Sequence, residues 1–361
     1  MKIAILGGGH GCYAAAADLS EAAHEVRLWR RDAAALAPVL EARSIVLKDA
    51  AGRRDVPIAL ATSDIGAALR GAQLIVIPSP AIAQADIARA MAPHLVDGQV
   101  VFLPPGTFGS YVMAQIVRAT GDVADVAWAE TGTLPYLARK HGAREVNITV
   151  RAVRLPTGVY PARSADAALA VIGEAYPSVH GCGDALSGAL MNAGPIIHPP
   201  LITMNAAPLE HFERWDIHKE GTQPAVRRVT DALDAERIAV REALGYGAPH
   251  FPLADHYARE GEEWMYGRGS HDKLTDSGDW REHIVLTQHR YMLEDVRVGL
   301  SFLASCGELA GVSTPLARAF LAIGGAVCGE DFLQTGRTLA SLGLGRVDRK
   351  AMQRMLAEGV R

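Results

Sequence analysis

Lysine is scarce in this 361-residue chain. Only six of its 36 basic residues are Lys, and none lies between Lys140 and Lys219. Charge of either sign is thin, at 21% of residues with a net charge of −4. Neutralising nucleic-acid phosphates needs a clear local excess of Lys and Arg, so a nucleic-acid partner is excluded. The four cysteines, Cys12, Cys182, Cys306 and Cys328, are scattered, with no CxxC or mixed Cys/His spacing. That argues against a metal site and for free thiols in a reducing compartment. No apolar run reaches the ~18 residues of a membrane-spanning helix. The start, "MKIAILGGG", has one Lys and a short apolar run that glycines end at once, unlike a secretory signal. The expectation is a cytoplasmic protein with no membrane partner and no metal.

Hydrophobic residues make up 49% of the chain, enough for two domains. "KIAIL" reads as a buried strand, "GGGHG" as a turn, "CYAAAADLSEAA" as a helix and "HEVRLWRR" as a second strand. The alternation continues through "AQLIVIPSP", "IAQADIARAMAPHL" and "GQVVFLPPG", and "VADVAWAE" and "EVNITVRAVRL" supply further strands. Strand–helix alternation predicts an α/β Rossmann domain with a doubly wound, mainly parallel sheet over residues 1–182. From 183 the spacing turns helical, as in "AVRRVTDALDAERIAVREALG" and "YMLEDVRVGLSFLASCGELAG". An all-α substrate and catalytic domain is predicted over 183–361. The polar, glycine-rich stretch 261–283 reads as a mobile loop or a plain surface connection.

In "AILGGGHGCYAAAAD" the pattern G-x-G-x-x-G is met by Gly7, Gly9 and, at the third place, Cys12. The first glycine allows the tight turn, the second lets the backbone approach a pyrophosphate, and the third place needs a small residue. His10 and Gly11 complete the predicted cofactor turn, with Pro80 beside it. The second strand ends "LWRRD". Arg30 and Arg31 stand where an acidic residue would bind the ribose of NAD, which favours NADP(H) and leaves NAD(H) as the alternative through Asp32.

The segment that carries a catalytic lysine in many two-domain dehydrogenases has none here. It offers Asn192 and, in "IIHPP", His198. Spacing alone leaves His198 open, as a helix-bend residue or as a proton donor. "ALMNAGPIIHPPLITMNA", followed by "HRYMLEDVRVGL" and flanked by "AETGTLPYLAR" and "LDAERIAVREALG", resembles the octopine/nopaline (opine) dehydrogenase family. That resemblance implies NAD(P)H-dependent reductive condensation of an amino acid with a 2-oxo acid. It makes His198 the acid/base and Asp295 its carboxylate partner. Arg290, Asn192 and Arg139 then belong to the substrate site and Glu130 to the cofactor site. A homodimer is expected for this architecture. The sequence departs from the family pattern at Cys12, and 261–283 has no clear counterpart. Two rival readings remain, a simple 2-oxo acid or 2-hydroxy acid reductase and a non-catalytic NADP sensor.

Overall fold

The computed structural model describes all residues except 122–123, 259, 261–263 and 360–361. The chain forms two units, Met1–Ala189 with Leu356–Arg361, and Leu190–Met355. A boundary at 182/183 would cut through a strand, Val179–Asp184.

The first unit holds two sheets. Its strands are β1 (Lys2–Leu6), β2 (Glu25–Trp29), β3 (Ser44–Asp49), β4 (Gly52–Pro57), β5 (Leu60–Thr62), β6 (Leu74–Val76), β7 (Val100–Leu103), β8 (Ala127–Thr131), β9 (Tyr136–His141), β10 (Glu145–Arg151), β11 (Leu155–Tyr160) and β12 (Val179–Asp184). The larger sheet runs β12-β11-β8-β7-β6-β1-β2-β5, parallel except where β11 meets β8. β1 lies between β6 and β2, so connections leave it toward both edges, and the turn after it is the topological switch point. The smaller sheet runs β4-β3-β10-β9.

The His10–Glu21 helix packs against strands of both sheets. This explains its alanines: Ala14, Ala15, Ala16 and Ala17 are all buried, as a helix enclosed on every side requires. "EVNITVRAVRL" is not one strand. The chain leaves the smaller sheet at Arg151 and enters the larger at Leu155, after Ala152 donates its N–H to Pro135 O.

Among its described residues the second unit is helical apart from a short antiparallel ribbon, Trp215–Asp216 with Arg281–Glu282. At its centre the Gly194–Thr203 helix packs on the Tyr291–Leu300 helix, which is wound as a π-helix. The stretch 261–283 is not a plain loop. Residues 261–263 lie outside the described residues, but beyond them Trp264, Met265, Tyr266, Leu274 and Trp280 are buried, and Ser270–Asp276 is helical. Among the described residues no helix is long and apolar enough to cross a membrane.

Candidate active site

The glycine turn after β1 is built to let something approach. Gly7 has φ +131°, and a Cβ there would lie 2.5 Å from Ser79 Oγ and 2.7 Å from Cys12 Sγ, so only glycine fits. A Cβ on Gly11 would strike Leu134 and Pro78. Gly9 is open, since a Cβ there would meet no atom within 4 Å. Gly9 also precedes the His10–Glu21 helix, whose first turn has no side-chain cap. Open backbone and uncapped N–H groups suit a pyrophosphate. Cys12 serves as the third glycine would. Its thiol reaches toward Leu6 O and Pro78 O, and burial pushes it up to about 11, so it is packing rather than a nucleophile. His10 Nδ1 accepts the Lys140 N–H at 2.8 Å, tying β9 to the start of the helix. Pro80 is exposed just past β6, next to Ser79, whose hydroxyl bonds Leu6 O.

The strand β2 leads into two arginines, one of which lies at the glycine turn. The Arg30 side chain lies against Gly8, where a Cβ would come 2.6 Å from its Nε. Arg31 is exposed and pairs loosely with Asp86 at 3.5 Å. Asp32 caps the Ala33–Ala42 helix by accepting from Ala35 N at 3.0 Å, which turns its carboxylate to a structural task.

Two further candidates lie in the first unit. Glu130 is fully buried and accepts from Phe108 N at 2.7 Å, from Ser110 N and from Ser110 Oγ. It braces the turn after β7, where Thr107 and Phe108 hold φ of 53° and 64°. Arg139, on β9, is buried.

In the second unit His198 Nδ1 and Asp295 Oδ2 stand 2.8 Å apart, with side chains 16% and 12% exposed. Three prolines share the helix of His198: Pro195, Pro199 and Pro200 are all buried. Pro195 seats against Gly299, where a Cβ would lie 2.2 Å from its Cγ, and so draws this helix close to the one carrying Asp295. The ring of Tyr291 stacks on His198 with centroids 3.7 Å apart and planes 16° apart, fixing the imidazole plane. The Arg290 guanidinium lies 5.0 Å from the centre of the same Tyr291 ring. Burial pushes Asp295 up to about 7, against the pull of Arg290. Asp295 at His198 Nδ1 favours the tautomer that leaves Nε2 for chemistry. Asn192 is buried, and its carbonyl oxygen accepts from Gly194 N at 3.0 Å, so it shapes the turn into the His198 helix.

Sequence reasoning missed the groups that hold this turn. Arg237 and Asp234 form a buried pair at 2.6 Å on the Pro224–Ala243 helix. Arg237 also donates to Leu190 O and His250 O, and Asp234 accepts from Leu253 N. Their spacing of three, with apolar neighbours on the same face, was the available signal.

A family model described as NAD/NADP octopine/nopaline dehydrogenase, alpha-helical domain, matches residues 181–328, and one for the NAD-dependent glycerol-3-phosphate dehydrogenase N-terminus matches 2–119. The chain is 30% identical over 349 residues to an opine dehydrogenase of Arthrobacter sp. (strain 1C), covering 94% of each. It is 29% identical to a vitopine synthase of Allorhizobium ampelinum, over 78% of this chain and 77% of that one. The fold matches octopine dehydrogenase in complex with NADH and agmatine at TM-score 0.72 and 18% identity, over 100% of this chain and 99% of that one. It matches yersinopine dehydrogenase with bound NADP+ at TM-score 0.65 and 15% identity, over 99% and 98%. The chain therefore belongs to the octopine/nopaline (opine) dehydrogenase family, as an NAD(P)-dependent oxidoreductase acting on a CH–NH bond.

Proposed function

We propose that His198 is the acid/base of a reductive condensation between an amino acid and a 2-oxo acid, that Asp295 orients it, and that Arg290 holds a substrate carboxylate. The observation that carries this is the 2.8 Å approach of His198 Nδ1 to Asp295 Oδ2, with Arg290 stacked over the neighbouring Tyr291. The amine of one substrate adds to the oxo carbon of the other, and the oxygen leaves as water. His198 Nε2 supplies the proton that makes the oxygen a leaving group, and takes one from the nitrogen. The carboxylate of Asp295 stabilises the ring while it carries that extra proton. Arg290 grips a carboxylate with two parallel N–H groups and sets the angle of the reacting carbon. The glycine turn would hold the pyrophosphate of a reduced nicotinamide dinucleotide, and that cofactor would supply the hydride that the imine carbon takes up.

NADP(H) is the preferred cofactor in this reading. Arg30 lies at the turn and Asp32 is spent on a helix cap, which leaves a cation where NAD needs an acid. A cytoplasmic homodimer is part of the same reading. Ile323, Val327 and Leu333 leave apolar side chains exposed around one helix end, and light scattering near twice 38.4 kDa is the expected result.

NADPH oxidation is to be screened over amino acids paired with pyruvate, 2-oxoglutarate and oxaloacetate. Turnover that needs both partners, and that falls by about 10²–10⁴ in His198→Asn with NADPH affinity retained, is expected. Oxidation by the oxo acid alone means a simple 2-oxo acid reductase. Tight binding without turnover on any pair means a sensor.

A further inference from the structure

We infer that Lys140, on β9, is a cofactor-selecting residue that joins Arg30 to clamp the phosphomonoester on the adenosine ribose of NADP(H). This rests on the NADP reading above and adds to it a cation from the smaller sheet. Three observations carry it.

First, the two cations converge on the glycine turn. The Lys140 backbone N–H bonds His10 Nδ1 at 2.8 Å, fixing this point of β9 at the first residue of the helix. Its ammonium lies 3.9 Å from the centre of the Tyr13 ring, one helical turn on. Arg30 reaches the same turn from β2 and lies against Gly8.

Second, neither cation has an acidic partner among the described residues. Arg30 gives an N–H to Ala35 O, and Lys140 has only the Tyr13 face. Other cations of this unit do find carboxylates: Arg27 with Glu25, Arg53 with Glu145, Arg54 with Asp49, Arg144 with Asp55 and Arg151 with Asp18. The nearest acid in sequence, Asp32, is turned away into a helix cap.

Third, the pair is uncomfortable without an anion. Burial, and then the charge of Arg30, hold the Lys140 ammonium below its ordinary value. A phosphate dianion between the two relieves that repulsion and gives each cation a charge-assisted hydrogen bond. A ribose hydroxyl does neither, so the gain is specific to the phosphorylated cofactor.

The test uses the full-length protein and fluorescence titration of NADPH and NADH, with adenosine 2′-monophosphate and adenosine 5′-monophosphate as competitors. K140M keeps the backbone bond to His10 and removes only the charge. We expect K140M to weaken NADPH by tenfold or more, to leave NADH within twofold, and to abolish the advantage of the 2′-monophosphate over the 5′-monophosphate. K140R, which keeps a cation, restores most of the NADPH affinity. A parent with no preference for NADPH overturns the cofactor reading itself. A parent that prefers NADPH, beside a K140M variant that keeps the same preference, overturns the assignment of Lys140 alone.

Discussion

Asp295→Asn should make the protein more stable and a worse enzyme. The carboxyl of Asp295 is buried and its proton affinity is raised from the usual 3.8 to about 7. In the unfolded chain it titrates near 4. The folded state therefore binds this proton more tightly than the unfolded one. The stability due to the protonated group is complete below about pH 4 and is lost as pH rises from there to about 7. Three units at 1.36 kcal/mol each give a loss of about 4 kcal/mol, an upper value because the carboxylate keeps a hydrogen-bond partner in His198 at 2.8 Å. Asparagine keeps the shape and cannot titrate. Urea unfolding followed by tryptophan fluorescence reads the second unit through Trp215, Trp264 and Trp280. The variant should exceed the parent by about 1–4 kcal/mol at pH 8, with the gap closing toward pH 4.5. The gap should widen in a His198→Asn background, where the imidazole partner is gone. Turnover should fall by about 10²–10⁴, because an amide beside Nδ1 supports the wrong tautomer. A variant less stable than the parent at pH 8, or a gap that ignores pH, refutes the idea that this carboxylate is held at the expense of stability.

Three further outcomes follow from the same geometry. Arg237→Met removes one partner of a buried ion pair and the bonds to Leu190 O, His250 O and Phe251 O, and calorimetry should show a loss of about 3–5 kcal/mol. Gly194→Ala places a Cβ 2.4 Å from Asp295 Oδ1; NADPH affinity should hold in titration while turnover drops at least tenfold. Tyr291→Leu removes the ring that stacks on His198, and both the rate and the pH profile of kcat should move, whereas Tyr291→Phe keeps the ring and should restore the parent profile.

The Rossmann half was legible where its strands are short apolar runs bounded by glycine or proline. β1, β6 and β7 read directly as such runs. The smaller sheet was not legible. β4 is "GRRDVP" and mostly exposed, and β9 is "YLARKH", with three basic residues. Such strands exist because of their partners: β3 pairs with β10, about a hundred residues later, and no local pattern announces that pairing. Lys140 was therefore unplaced, although the scarcity of lysine made it conspicuous. Nor could residue type show what Glu130 and Asn192 bond: both accept backbone N–H groups of turns, which only the folded chain reveals.

The pairing of Arg290 with Asp295 shows a different limit. On an α-helix residues five apart point about 140° from each other, so "RYMLED" gives no reason to place both at one site. The helix Tyr291–Leu300 is wound with i→i+5 bonds, which bring residues five apart closer to one face. That winding makes a wider helix, and its neighbours yield the space. A Cβ on Gly194 would collide with Asp295, one on Gly324 would meet Val296 and Met292, and Gly299 on the wide helix itself receives Pro195. The glycines of three separate helices are thus part of the site, although none offers a functional group. They let a wide turn pack where an ordinary one would fit, and that turn sets Asp295 against His198 while keeping Arg290 over the same tyrosine ring.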